Sequence, residues 1–237
     1  MQVLQNKKVL VTDLGSKDYK ETWDLQEQIF QQIVSQKLAN RSGVYEPTKN
    51  QLLFVEHPHV YTLGKSGDFE NLLLSEEQLT RIGATFYKIN RGGDITYHGP
   101  GQLVGYPILD LENFFTDIHK YLRLLEEAVI AVVGHYGLKG QRSSGETGVW
   151  LDPDTKFARK ICAMGVRASR WVTMHGFALN VNVDVGYFDH IIPCGIRGKG
   201  VTSLQNELGV TQVPIEEVKA LFLKFFQQYF EAEIVTS

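Results

Sequence analysis

Five glycines and two prolines of this chain fall in one run, Arg91-Gly92-Gly93-Asp94-Ile95-Thr96-Tyr97-His98-Gly99-Pro100-Gly101-Gln102-Leu103-Val104-Gly105-Tyr106-Pro107. Glycine admits backbone angles closed to other residues and lets a ligand come close to the main chain. The same run carries Arg91, Thr96, Tyr97 and His98, so its backbone freedom is combined with polar side chains. Two readings follow: a ligand-binding loop, or a tight connection between two strands. The run does not end in the GK[ST] of a phosphate-binding loop, and it does not fit the dinucleotide fingerprint G-x-G-x-x-G. Nucleotide binding therefore has no direct support from it.

At 237 residues the chain is long enough to bury a sizeable core, and we read residues 1–237 as a single catalytic domain. A hydrophobic content of 43% with 22% charged residues is that of a globular enzyme and argues against a disordered chain. A net charge of −3 offers no broad basic footprint, so a nucleic-acid partner is not expected. No apolar run approaches the ~20 residues of a membrane helix, so no membrane association is expected. The N-terminus lacks the apolar core of a signal peptide. Cys162 and Cys194 are the two cysteines, too few for a disulfide framework, and a reducing cytoplasm is the expected location.

Patterning gives the order of elements. Strands are expected over Lys8–Leu14, Gln51–Glu56, Val60–Leu63, Thr85–Ile89, Leu103–Leu109, Gly148–Leu151, Ala158–Val166 and Val172–Asn182. A helix is expected from about Asp18 to Asn40, burying Trp23, Ile29, Phe30, Ile33, Val34 and Leu38. Ser75-Glu76-Glu77-Gln78 has the form of a capping box and opens a short helix ending near Gly83. A long helix spans Thr116–His135, with Ile118, Leu122, Leu125, Ala128, Val129 and Val132 on one face and Gly137 to stop it. The last helix follows Pro214 and turns Val218, Leu221, Phe222, Phe225, Phe226 and Tyr229 to the core. A small C-terminal subdomain from about residue 205 is allowed but not required. Strands come in runs between a few long helices, which points to an α+β fold with a mixed sheet flanked by helices.

Cys194 stands between Pro193 and Gly195, in a shaped turn, with Arg197 and Lys199 near enough to favour a thiolate, the form that attacks carbonyls. A small hydrophobe tucked under a loop is the alternative. Cys162 lies inside a strand and is read as a core thiol. Lys160 is on the same strand, and strict alternation puts it on the face of Cys162. It lies either at a wet edge or beside a partner such as a thiolate, since an unpaired lysine is costly to bury. His57, His59, His98, His175 and His190 lack metal-site spacing, so no metal is expected. His98 and His175 are either hydrogen-bond donors to an acyl carbonyl or a phosphopantetheine arm, or structural.

Four segments, taken together, resemble the octanoyltransferases of lipoate biosynthesis. They are Glu56-His57-Pro58-His59-Val60-Tyr61-Thr62-Leu63-Gly64; the run from Arg91 through Tyr106; Lys160 through Gly165 with Met174-His175-Gly176-Phe177-Ala178-Leu179-Asn180; and Ile192-Pro193-Cys194-Gly195-Ile196 with Val201-Thr202-Ser203-Leu204. The resemblance implies a fold similar to the catalytic domain of biotin and lipoate protein ligases. It implies transfer of an octanoyl group from octanoyl-acyl carrier protein to a lysine on the lipoyl domains of 2-oxoacid dehydrogenases and the glycine cleavage H protein. Carried over by position, Cys194 is the acyl-thioester cysteine and Lys160 the lysine that lowers its pKa. The substrate-binding segments fall on Arg91, Gly92, Gly93, Asp94, Ile95, Thr96, Tyr97 and His98; on Ala163, Met164 and Gly165; and on Gly176, Phe177 and Ala178. A thioester donor is already activated, so no cofactor, ATP or metal is implied. The alternative on the same fold is an ATP-dependent lipoate or biotin ligase, which has no need of a nucleophilic cysteine. A non-catalytic binding module or biotin-type repressor is the other, although nothing ahead of the core resembles a helix-turn-helix.

Overall fold

A computed structural model describes residues 5–43, 45–192 and 199–236. Lys8–Ser16 (β1) leads into Tyr19–Asn40 (α1), which begins where the Asp18 carboxylate accepts the Glu21 N–H. Asn50–Glu56 (β2) and Val60–Leu63 (β3) follow. Ser75 and Gln78 close the expected capping box ahead of Glu76–Arg81 (α2). Next come Thr85–Lys88 (β4), Ile95–His98 (β5), Gln102–Ile108 (β6) and Ile118–His135 (α3). Gln141–Ser143 (β7), Glu146–Leu151 (β8), Arg159–Ser169 (β9) and Val172–Asn180 (β10) form a run of strands. Gly200–Val201 (β11), Leu204–Leu208 (α4), Ile215–Phe230 (α5) and Glu233–Thr236 (β12) complete the chain.

Among the described residues, nine strands form one mixed sheet in the order β12-β1-β2-β6-β10-β9-β8-β7, with β11 pairing β9 off that path. The pairs β12–β1, β1–β2 and β11–β9 are parallel, and the other pairs we place in the sheet are antiparallel. A smaller sheet has the order β4-β3-β5.

Alternation along the strands sends neighbours to opposite faces of the large sheet. Leu52, Phe54, Leu103, Phe177 and Leu179 pack with Val129 and Val132 of α3 and Phe222 and Phe226 of α5. Leu53, Val55, Val104 and Ala178 face the other way, against Ile29, Phe30, Ile33 and Val34 of α1. The sheet is thus covered on both sides, as a strand with little polar sequence requires. Residues after 205 do not build a core of their own, since Phe222 and Phe226 share the main cluster and β12 joins the sheet beside β1. Among the described residues no helix is long and apolar enough to cross a membrane.

Three expectations need correction. Leu38 does not sit on the buried face of α1. It is 44% exposed, while Lys37 turns inward to the buried Asp110 carboxylate and to Glu112 at 3.1 Å. The glycine-rich run is not one loop either. Ile95–His98 pairs with β3, consistent with the β-branched and aromatic side chains of Ile95, Thr96 and Tyr97. Finally, Lys160 and Cys162 do not share a face. Trp150 opposes Lys160 and the adjacent Val149 opposes Cys162, which leaves Ile161 as the extra residue of a bulge.

Candidate active site

The glycine-rich run, β9 and β10 meet around a cavity of about 430 Å³. From the run, Arg91, Gly92, Gly93, Asp94, Ile95, Thr96 and His98 line it. From β9 come Lys160, Ala163, Met164 and Gly165; from β10 come Gly176, Phe177 and Ala178. Tyr97 is not among the lining residues. Its ring is fully buried beneath the small sheet, stacked on Tyr187 at 5.0 Å, with its hydroxyl 2.6 Å from His59 Nδ1. Cys194 lies outside the described residues.

Backbone contacts hold these segments together. The Gly92 N–H donates to the Val166 carbonyl at 2.9 Å, tying the run to β9. A Cβ on Gly165 would lie 2.7 Å from the Gly92 carbonyl oxygen, and one on Gly176 would lie 2.1 Å from that of Gly105. Only glycine allows strands and loop to approach this closely. The Arg91 guanidinium is buried and donates to the Thr62 carbonyl (2.7 Å) and hydroxyl (3.1 Å), so it braces the run against β3. Asp94 accepts from Asn71 Nδ2 and from the Ile95 N–H, both at 2.7 Å.

Two buried histidines are neutral at physiological pH. His98 Nδ1 is 2.8 Å from Gln102 Oε1, and Gln102 Nε2 donates on to Asn180 Oδ1 at 2.9 Å. Asn180 Nδ2 donates to the Thr202 carbonyl, so this polar chain crosses β6 and β10 to the segment that follows β11. Desolvation, with help from His57, lowers the His98 pKa to about 3. His175 is likewise lowered to about 3, first by desolvation and then by the nearby Arg91 and Arg167 charges. It has φ +59 and presents Nε2 to Asn90 Oδ1 at 3.2 Å. Both line the cavity as uncharged imidazoles.

Lys160 enters the cavity beside Val201, its partner on β11. Its Nζ lies 4.6 Å from the centre of the Trp150 ring, a cation–π contact. Among the described residues no carboxylate pairs with it. Lys199 was expected to favour a thiolate, but its charge is already matched by Glu146 at 2.5 Å. Cys162 is fully buried in the helix-covered core, and burial pushes its thiol far up.

Tyr19, Tyr106, Leu122, Glu146, Thr147 and Phe188, none of them among the substrate-binding residues expected from the sequence, also line the cavity. Glu146 and Thr147 open β8, directly after the β7–β8 turn. That turn is anchored by the buried Glu126 of α3, which accepts from the Gly148 N–H (3.0 Å), Arg142 Nε (2.7 Å) and Arg123 Nη1 (2.6 Å). A charged residue beside a turn carries no local signal of this kind.

Residues 18–227 match the family model described as the lipoyl protein ligase A/B catalytic domain. An octanoyltransferase of Flavobacterium johnsoniae is 72% identical over 97% of this chain and 100% of its own length. The chain belongs to this family. It is an acyltransferase by the same likeness. An octanoyltransferase of Christiangramia forsetii is also 72% identical, over 97% of this chain and 98% of that protein. Among solved structures, a bi-partite lipoate protein ligase from Thermoplasma acidophilum aligns with a TM-score of 0.68 at 16% identity, covering 98% of this chain and 87% of that one. A lipoate-protein ligase A bound with ATP also gives 0.68, at 15% identity, over 98% of this chain and 88% of that one. These distant structures share the fold expected from the sequence, a mixed sheet flanked by helices.

Proposed function

We propose that this chain transfers an octanoyl group from octanoyl-acyl carrier protein, through a thioester on Cys194, to the lysine amine of lipoyl domains. The observation that carries the proposal is Lys160: a lysine at a cavity wall, resting on an indole face, with no carboxylate partner among the described residues. A cation in that position favours a thiolate. The sequence supplies the thiol at Cys194, within the segment between Ile192 and Lys199.

In the proposed reaction the Cys194 thiolate attacks the donor thioester carbonyl and expels the carrier-protein thiolate. The acceptor amine then attacks the acyl-enzyme carbonyl, loses a proton and releases Cys194. Splitting one acyl transfer around a covalent thioester is ordinary nucleophilic catalysis and needs no ATP. Met164, Phe177 and Ala178 give the acyl chain an apolar wall, and at ~0.8 kcal/mol per buried methylene such a wall is enough for length selectivity. Arg91 and the glycines beside it shape the polar end. The reading fits a reducing compartment such as the cytoplasm, where the Cys194 thiol stays free.

Intact mass after incubation with a panel of acyl-carrier-protein thioesters tests this. An octanoyl adduct on the unmodified protein, absent in Cys194→Ser, is the expected result. No adduct, with product formed by Cys194→Ala from free octanoate and ATP, would replace the transferase with a ligase.

A further inference from the structure

The cavity holds a second polar device besides Lys160. Glu146, at the start of β8, is largely buried, with a side chain 13% exposed. Its Oε1 accepts from Lys199 Nζ at 2.5 Å, and Lys199 also reaches Ser143 Oγ at 3.2 Å. Lys199 lies against the same Trp150 ring as Lys160, with its Nζ 4.8 Å from the centroid. The other carboxylate oxygen, Oε2, is buried with no hydrogen-bond partner among the described residues, although Glu146 lines the cavity.

A carboxylate oxygen held out of water without a donor is costly, and the site lowers that cost only when a donor arrives. Lys160 does not supply it, since no ion pair joins the two among the described residues. The arrangement is therefore asymmetric. Lys199 fixes one oxygen and the carboxyl plane, and the second oxygen is left for something that enters the cavity. The proposed reaction brings in two substrates. The acyl group presents a carbonyl oxygen and a methylene chain, neither of which donates to a carboxylate, and the pantetheine arm that carries it brings only neutral amide and hydroxyl donors. The acceptor presents a lysine ammonium, which carries a positive charge and three donors.

We propose that Glu146 Oε2 is the docking group for the acceptor lysine, receiving its ammonium in the cavity. Glu146 is then a residue specific to the second half-reaction, and Lys199 positions it. The assignment rests on the transferase reading, and the two fail separately. In Glu146→Gln the shape is kept and the charge removed. Acyl-enzyme formation, followed by intact mass, is expected not to slow, while the KM for the lipoyl-domain acceptor rises by about tenfold or more, as for a lost hydrogen bond to a charged group. Glu146→Asp recovers part of that loss.

Equal slowing of both half-reactions in Glu146→Gln would make Glu146 a structural brace and overturn the assignment. Unchanged acceptor KM with normal acylation would overturn it as well, leaving the transferase reading intact. If the unmodified protein forms no octanoyl adduct, the transferase reading falls and this assignment falls with it.

Discussion

Lys160 and Cys162 are two residues apart on one strand yet face opposite sides of the sheet. The bulge at Ile161 separates them: Lys160 sits across from Trp150 and Cys162 across from Val149. Ala163, across from Ala178, lies with Lys160 on the cavity wall. Cys162 instead joins Val149, Leu151 and Leu179 in the core under α3 and α5. A single inserted residue thus turns the lysine towards the cavity and the thiol away from it.

Cys162 is therefore expected to serve packing alone. Cys162→Ala should keep acyl-enzyme formation and lower stability by about 1 kcal/mol, the typical cost of a small loss of core volume. In the native protein its thiol should resist iodoacetamide, because burial holds it protonated. An octanoyl adduct that survives Cys194→Ser but disappears in Cys162→Ala would reverse the two assignments.

Lys160→Ala removes the cation proposed to favour the Cys194 thiolate. A thiol that loses a nearby positive charge titrates at higher pH, so the alkylation profile of Cys194 should move upward by about one unit. Acylation near neutral pH should slow by about tenfold with it, since one unit is about a factor of ten in thiolate fraction. Rates of iodoacetamide capture between pH 5 and 10 measure the shift. An unmoved profile would remove the tuning role while leaving Cys194 as the nucleophile.

Gly165 lies where β9 passes close to the glycine-rich run. In Gly165→Ala the new methyl meets the Gly92 carbonyl oxygen at 2.7 Å, a backbone atom of the residue whose own N–H donates to the Val166 carbonyl. Something must shift, and the run is the less constrained side. Overpacking of this kind costs about 1–3 kcal/mol. The expected readout is a lower thermal midpoint together with a raised KM for the acyl donor. A normal KM at the lowered midpoint would mean that the strand yields and the run stays in place.

Much of the architecture was legible because it rests on local periodicity. The helical faces of α3 and α5, the capping box at Ser75 and the apolar runs of β2, β6 and β10 all declare themselves within their own windows. What escaped depends on partners far along the chain. Glu233–Thr236 becomes a strand by pairing with Lys8 to Val11, and Lys37 is buried because Asp110 is there to meet it. For the candidate site, glycines carried the signal, since Gly92, Gly165 and Gly176 all come to the cavity. Tyr97 stands apart from its neighbours in the run because its ring packs against Tyr187 and Phe188, contacts that no local pattern announces. Glu146 escaped because a charged residue beside a turn looks the same in sequence whether it meets solvent or a cavity.

Acid should destabilise the protein before its carboxylates titrate. His57 is lowered to about 4, mainly by desolvation, and His98 and His175 to about 3. In the unfolded chain each takes up a proton near pH 6.5. Above that pH both states are neutral and the three contribute no pH dependence. Below it the unfolded state binds more protons than the native state, so stability falls with pH until the folded pKa values are reached. Each fully protonated unfolded histidine gives about 1.4 kcal/mol per pH unit, so the three together approach about 4 kcal/mol per unit near pH 5. Glu207, whose pKa is lowered by its bond to Arg159, loses its contribution only at lower pH, outside this window. Urea unfolding at pH 7.5, 6.5, 5.5 and 5.0 reads the slope directly, and His57→Gln should remove about a third of it. A flat stability between pH 6.5 and 5.0 would mean that these imidazoles take up protons in the native state over that range, as they do in the unfolded chain.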